Sequence, residues 1–234
     1  MARPIKETPI LYGEEARKFE MRMLNPTPVS QERKEQIMRD YEFLRGKGVN
    51  CRFWKMALDK NNIIYKRLDE HDYIKSFNCG DEDLNDFIKN DALLYYKSRL
   101  STSYILEDKT TGEVIGYFSL AHDRISLTDF PSNSSYNRFR KKFFAQGKMF
   151  KSYPAIKICR LATSLNYRGE GIGSMIINMI IASYQQDNKA GCRFVTVDAY
   201  ASALPFYYNQ GFMPLSKEDE GADTRLLYFD LKQL

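Results

Sequence analysis

The chain has 234 residues, of which 43% are hydrophobic and 28% are charged. Those proportions are ordinary for a globular domain with a sizeable core, and they exclude wholesale disorder, a collagen-like fibre and a small disulfide-stapled scaffold. Thirty-five lysines and arginines against 30 acidic residues leave a formal net charge of +5. This excess permits contact with nucleic acid without requiring it.

No apolar run approaches the roughly 20 residues of a membrane helix. The N-terminus also lacks the apolar core of a secretory signal, so we expect a cytoplasmic protein with no membrane partner. The four cysteines lie far apart, form no C-x-x-C pair and are accompanied by only two histidines. This pattern predicts reduced thiols and no metal site, with Cys159 as a small core residue.

Residues 1–60 are predicted to form a helical N-terminal extension, separate from a domain over residues 61–234. Apolar residues recur at helical spacing over residues 14–23 and again from Ser30 to Leu44, on either side of the Pro26-Thr27-Pro28 break. Two short amphipathic helices cannot build a core of their own. We therefore expect them to dock on the rest of the chain or on a partner subunit.

Beyond residue 60 the pattern alternates between strand and helix. Strands are predicted over residues 63–68, 103–107, 114–121, 155–163, 194–198 and 226–231, and helices after Asp81, near Gly171 and from Ser202. An antiparallel front half followed by β-α-β-α-β predicts an α/β fold with a mixed, mostly antiparallel sheet and flanking helices.

A glycine-rich turn at the start of a helix is the most informative local feature. Arg168-Gly169-Glu170-Gly171-Ile172-Gly173 follows a strand and opens an apolar helix. Unpaired amides at a helix start can bind an anion, and glycines let a phosphate approach the backbone. The turn lacks the lysine of a Walker loop and the full dinucleotide-binding glycine pattern, so a purely structural turn is an equal alternative.

The strand before this turn shows a slip in its apolar alternation. Ile156 and Ile158 share a face, whereas Leu161 has the wrong parity for that face. One extra residue in a β-bulge produces such a slip and leaves amides unpaired for a ligand carbonyl. A loose edge strand would explain the pattern equally well.

Two motifs in succession carry a resemblance to a known family. The turn R-G-E-G-I-G is followed by A-L-P-F-Y-Y-N-Q-G-F, and together they resemble the GNAT superfamily of acetyl-CoA-dependent N-acyltransferases over about residues 63–234. The segments Phe77-Asn78-Cys79-Gly80, Ser101-Thr102-Ser103-Tyr104 and Val197-Asp198-Ala199 are similar to the branch that includes tRNA-acetylating toxins.

The resemblance implies acetyl-CoA as acyl donor, no metal, and direct attack of a primary amine on the thioester in a ternary complex. It implies Tyr207 as the general acid for the departing thiolate, help typically worth about 10²- to 10⁴-fold; Tyr208 is the alternative. The cofactor-binding residues that it implies are Leu161, Ala162, Thr163, Arg168, Gly169, Glu170, Gly171, Ile172, Gly173 and Ser174.

The positive charge concentrates in residues 127–154, where aromatic side chains alternate with basic ones. Basic groups beside exposed rings suit single-stranded nucleic acid. The candidate substrate residues are Arg138, Arg140, Lys141 and Lys142. The alternative is a helix with a packed aromatic face and solvated lysines.

The leading hypothesis is an N-acetyltransferase whose acceptor amine is aminoacyl-tRNA. A small-molecule or protein amine is the alternative acceptor, and a CoA-binding scaffold without turnover is the alternative class. A homodimer is compatible with the sequence. The N-terminal helices are interpreted either as a structural extension or as a strap that covers the acceptor groove and restrains activity.

Overall fold

A computed structural model of the chain describes residues 30–44, 62–72, 74, 76–144, 150–186, 190–217 and 219–233. The helix predicted over residues 14–23, and the proposed boundary near residue 60, lie outside these residues.

One seven-stranded sheet forms the centre of the fold, in the order β1-β2-β3-β4-β5-β7-β6. Its strands are β1 (Ile63–Arg67), β2 (Thr102–Asp108), β3 (Val114–Ser126), β4 (Ser152–Thr163), β5 (Phe194–Tyr200), β6 (Met213–Pro214) and β7 (Thr224–Asp230). Every neighbouring pair is antiparallel except β4 and β5, which run parallel. The mixed, mostly antiparallel α/β fold is thereby confirmed; β6 was not predicted because two residues show no alternation.

Helices cover both faces of this sheet. They are α1 (Gln31–Leu44), α2 (Glu82–Asp86, continued by a π-helical turn Phe87–Asp91 and by Ala92–Lys97), α3 (Asn133–Phe143), α4 (Ile172–Gln186) and α5 (Leu204–Asn209). Successive strand residues point to opposite faces. Leu106 joins the core cluster with α1 and α4, whereas Ile105 joins the cluster with α2. The two layers of helix therefore lie on opposite sides of the sheet.

Helix α4 is apolar around most of its circumference, and α1 covers its outer side. A helix of this kind must be buried on all sides, and Ile176, Ile177 and Ile181 of α4 are fully buried. Ile37 of α1 is 0% exposed and belongs to the same cluster. Helix α1 thus docks on the rest of its own chain, as predicted from its apolar stripe. The side chains of Tyr41 and Leu44 lie outside the described residues.

The basic, aromatic segment contains helix α3, and its rings pack inward. Tyr136 and Phe139 are buried in a cluster with Phe194 and Tyr228 at the start of β5 and in β7. The further rings of Phe143, Phe144 and Tyr153 also pack in or against this cluster. The structure therefore supports the alternative of a helix with a packed aromatic face over base stacking on these five rings, because they supply the core under α3. Of the described rings of the segment, Phe150 remains exposed, at 54%.

Candidate active site

Strand β4 carries a bulge at Cys159. Leu120 of β3 pairs with Ile158, but the preceding Ser119 pairs with Arg160, so Cys159 is the extra residue. This confirms the bulge predicted from the apolar alternation. The bulge reverses the facing of every later residue in β4.

Strands β4 and β5 separate just beyond this point. Their parallel pairing ends at Ile158 and Val197, and residues 160–163 continue with β3 as their only paired neighbour among the described strands. A cavity of about 990 Å³ lies along this opening. Its size suits a drug-sized or larger ligand, for which pockets of about 300–1,000 Å³ are usual.

The glycine-rich turn forms one wall of the cavity. Gly169 and Gly171 have φ values of +86° and +76°, a region that favours glycine. The Met175 amide donates to the Gly171 carbonyl at 3.0 Å. Within the described ranges, the amides of Ile172, Gly173 and Ser174 have no main-chain partner, as is expected of the first turn of a helix. These donors and the helix dipole favour an anion, so the geometry of the turn is suited to an anion.

The side chains of Arg168 and Glu170 are not both free to contact a ligand, although both residues were predicted to bind the cofactor. The Arg168 guanidinium lines the cavity, but its Nη2 donates to the Cys79 carbonyl at 2.6 Å. It therefore ties the Phe77-to-Gly80 segment to the turn. Glu170 does not line the cavity, and its amide donates to the Tyr167 carbonyl at 3.4 Å.

The two adjacent tyrosines of α5 have different surroundings. Tyr207 lines the cavity, is 6% exposed and packs edge-on against Phe206 and Phe212. Burial raises the pKa of its hydroxyl above the usual range. Tyr208 is 38% exposed, and its hydroxyl accepts from Arg225 Nη1 at 3.3 Å. Only Tyr207 of this pair can meet a ligand in the cavity.

The cavity brings together ten of the eleven residues predicted for catalysis and cofactor binding. These are Leu161, Ala162, Thr163, Arg168, Gly169, Gly171, Ile172, Gly173, Ser174 and Tyr207. The four candidate substrate residues do not line it: Arg138 and Lys141 are exposed on α3, whereas Arg140 and Lys142 are half-buried. Burial lowers the pKa of Lys142, and Asp230 opposes that effect.

Several cavity residues were missed from the sequence. Lys157 Nζ pairs with Asp198 Oδ2 at 2.5 Å, and both lie on the face of the sheet that α2 and α3 cover. Arg160 is nearby, with its guanidinium 5.0 Å from the centre of the Phe87 ring. Charged residues inside otherwise apolar strands were the available signal.

Cys159 is half-buried and lines the cavity, so its assignment as a core residue was wrong. The cause is the bulge, which takes it out of the regular alternation. Burial raises the pKa of its thiol, which opposes a nucleophilic role. Within the described part of the chain, no cluster of three or more His, Cys, Asp or Glu residues could hold a metal ion. No described helix is both long and apolar enough to cross a membrane.

Comparison with known proteins gives concordant matches. Residues 142–232 match the acetyltransferase (GNAT) domain family. A tRNA-acetylating toxin of Mycobacterium tuberculosis (strain ATCC 25618 / H37Rv) is 26% identical over 149 residues, which are 63% of this chain and 82% of the toxin. The crystal structure of AtaTR bound with acetyl-CoA is 26% identical with a TM-score of 0.59, covering 74% of this chain and 95% of that one. AtaT complexed with acetyl-methionyl-tRNAfMet has a TM-score of 0.56 at 24% identity, covering 73% and 95%, and shares the fold.

The bulged strand, the separated β4 and β5 and the glycine-rich turn agree with these matches. The chain is an acetyl-CoA-dependent N-acetyltransferase that resembles the GNAT superfamily. Within that superfamily the chain resembles the branch that includes the tRNA-acetylating toxins.

Proposed function

We propose that the protein transfers the acetyl group of acetyl-CoA to the α-amino group of an aminoacyl-tRNA, by direct attack in a ternary complex. The observation that carries this proposal is the cavity between β4 and β5, which joins an anion-binding turn to a buried tyrosine. The acceptor class is inferred from similarity to a tRNA-acetylating toxin and from the charges around the cavity.

The turn over residues 168–174 binds the pyrophosphate of acetyl-CoA. The unpaired amides of Ile172, Gly173 and Ser174 are the donors, and the positive end of the α4 dipole adds to them. The Cβ of any larger residue at Gly173 would lie 3.2 Å from Phe206 Cζ. The glycine therefore keeps α5 close to the turn, and with it the neighbouring Tyr207.

The open edge of β4 binds the acyl end of the donor. Leu161, Ala162 and Thr163 pair with β3 on one side, and their edge toward β5 is available to the amide groups of the pantetheine arm. Main-chain N–H groups at this edge polarise the acetyl carbonyl, and because they are fixed before the reaction they stabilise developing negative charge efficiently.

Tyr207 completes the reaction at the sulfur. Its raised pKa keeps the hydroxyl protonated at neutral pH, so it can donate to the thiolate that leaves when the amine attacks. The attacking amine must also lose a proton. Three carboxylates line the cavity, those of Asp81, Asp83 and Asp198, and the proton leaves to one of them or to water.

The acceptor enters from the face of the sheet that α2 and α3 cover. Lys157 and Arg160 line the cavity on this side, and α3 adds a cationic flank in which Arg138 and Lys141 are exposed. Phosphates near the acceptor end of tRNA fit this charge, because their neutralisation releases counterions and drives binding.

An acceptor panel tests the proposal. Radiolabelled acetyl-CoA is incubated with the protein and, separately, with aminoacyl-tRNAs, free amino acids and polyamines, and a mixture of peptides. Thiol release is followed in parallel. Label that appears in aminoacyl-tRNA and is lost on deacylation supports the proposal. Transfer to a free amine or a peptide alone would contradict aminoacyl-tRNA as the acceptor. Saturable acetyl-CoA binding with no thiol release in any arm would leave a scaffold and contradict turnover.

A further inference from the structure

A chain of partly buried hydrogen bonds runs from α1 to the glycine-rich turn. Arg33 Nη2 donates to Gln210 Oε1 at 2.7 Å, and Gln210 Nε2 donates to Ser174 Oγ at 3.0 Å. Gln210 is only 7% exposed and directly follows α5. Ser174 lines the cavity in the first turn of α4. The three side chains therefore connect the N-terminal helix to the wall proposed to hold pyrophosphate.

The direction of these bonds is fixed by the first of them. A guanidinium can only donate, so Gln210 must turn its carbonyl oxygen to Arg33 and its NH₂ group to Ser174. The Ser174 Oγ accepts a hydrogen bond from that NH₂ group. The hydroxyl proton of Ser174 must then point to a different acceptor. Without Arg33 the amide could rotate by half a turn, and the Ser174 hydroxyl would donate to Gln210 instead.

Helix α1 is held firmly enough to impose this direction. Asn178 Nδ2 of α4 donates to Asp40 Oδ2 at 2.5 Å, and Gln36 Nε2 donates to Asp40 Oδ1 at 2.8 Å. Ile37 of α1 is fully buried in the core cluster that contains the apolar residues of α4. Arg33 is thus presented from a docked helix, and burial lowers the pKa of its guanidinium, an effect that Asp40 opposes.

We propose that Arg33 and Gln210 are positioning residues that aim the Ser174 hydroxyl proton into the cavity, where it donates to a pyrophosphate oxygen of acetyl-CoA. The inference rests on the proposed use of residues 168–174 as the pyrophosphate site. It gives the N-terminal helix a role in donor binding, in place of a purely structural extension or a strap. None of the described residues of α1 lines the cavity, so the described part of α1 does not cover the acceptor groove.

Gln210→Glu is the decisive variant, measured by calorimetric titration of the full chain with acetyl-CoA. Glutamate still accepts from Arg33 but cannot donate to Ser174, so the Ser174 proton is drawn to the new carboxylate and away from the ligand. Because a hydrogen bond to a charged group is lost, we expect the dissociation constant to rise about tenfold or more. The melting temperature should not fall, since the hydrogen bond from Arg33 becomes an ion pair with the new carboxylate.

Gln210→Glu in a Ser174→Ala background distinguishes a reoriented Ser174 hydroxyl from simple repulsion between the new carboxylate and the pyrophosphate. A new negative charge near the pyrophosphate would weaken binding in both backgrounds, whereas a reversed hydroxyl can act only where Ser174 is present. The inference requires that Gln210→Glu raises the dissociation constant of acetyl-CoA strongly when Ser174 is present and only slightly in the Ser174→Ala background. Equal effects in both backgrounds would overturn it.

Arg33 supplies a second, independent test. Arg33→Met should weaken acetyl-CoA binding and raise its KM with little change in kcat, and Arg33→Lys should restore binding because lysine also only donates. Arg39→Met is the matched control on the same helix, since Arg39 is exposed and pairs with Glu35. If Arg33→Met and Gln210→Glu leave acetyl-CoA binding unchanged while Gly171→Leu still abolishes it, the positioning role is refuted but the proposed pyrophosphate site is not. If Gly171→Leu also leaves binding intact, the proposed pyrophosphate site fails with it.

Discussion

Replacing Tyr207 by phenylalanine removes one hydroxyl from the cavity and leaves the ring that packs between Phe206 and Phe212. Its raised pKa bears on what that hydroxyl does. A phenol with a raised pKa gives up its proton reluctantly, and a thiol has a reference pKa of only about 8.5. Full transfer to the departing thiolate is therefore uphill, and the main contribution of Tyr207 is a hydrogen bond donated to developing negative charge.

This role sets the size of the effect. A hydrogen bond to a charged group contributes about 1.5–3 kcal/mol, and each 1.36 kcal/mol is about tenfold in rate. We expect kcat of Tyr207→Phe to fall by about 10- to 100-fold, at or below the lower limit of the range of about 10²- to 10⁴-fold that is general for acid catalysis. The dissociation constant of acetyl-CoA should barely change, because the bond forms as the sulfur becomes negative.

Steady-state thiol release with a saturating acceptor measures kcat, and calorimetry measures acetyl-CoA binding. Tyr208→Phe is the matched control, since it removes the same group from a neighbouring side chain whose hydroxyl meets Arg225 instead of the cavity. Activity of the wild type should show no loss from Tyr207 ionisation as pH rises toward 10, because the hydroxyl stays protonated there. Wild-type turnover in Tyr207→Phe, or an equal loss in Tyr208→Phe, would refute the assignment.

Three further results are expected. Gly171→Leu should abolish acetyl-CoA binding in calorimetry while circular dichroism stays native, because a side chain is strained at φ +76° and blocks the approach of phosphate; retained affinity would place the pyrophosphate elsewhere. Arg140→Gln with Lys141→Gln should flatten the salt dependence of tRNA binding by up to about one unit of slope for each phosphate that is no longer neutralised, and an unchanged slope would exclude α3 from the interface. Ile37→Ala should lower stability by about 2 kcal/mol or more in thermal denaturation, since it leaves a cavity between α1 and α4; an unchanged melting temperature would mean that α1 docking contributes little.

Ten of the residues that line the cavity could be predicted because they lie in short sequence motifs. The bulge was indicated by the changed parity between Ile158 and Leu161. The turn was indicated by its glycines, two of which have positive φ in the structure. The resemblance to the GNAT superfamily implied Tyr207 in preference to Tyr208. In each case the informative residues are near neighbours in sequence.

The acceptor side could not be predicted in the same way. Lys157 and Asp198 meet only because β4 and β5, separated by the whole of α4, lie side by side. The burial of the rings in and near α3 depends on Phe194 and Tyr228, which are distant in sequence and pack against them. Whether an aromatic residue packs or stays exposed is decided by tertiary partners, and alternation of rings and charges does not reveal them.

The gap between β4 and β5 itself indicates what kind of ligand the site requires. An interruption inside a sheet leaves main-chain N–H and C=O groups without partners, and such groups are costly when they are buried away from water. Here residues 159–163 line the cavity. The Cys159 carbonyl accepts from Arg160 Nη1 at 3.0 Å, and water can satisfy the other main-chain groups of this edge in the free protein. A ligand that displaces this water must return the hydrogen bonds, as an added strand would. The pantetheine arm carries two amide groups in an extended chain and can do so, whereas a purely apolar chain of equal length could not. The opening begins at the bulge at Cys159, and its main-chain edge suits a peptide-like ligand.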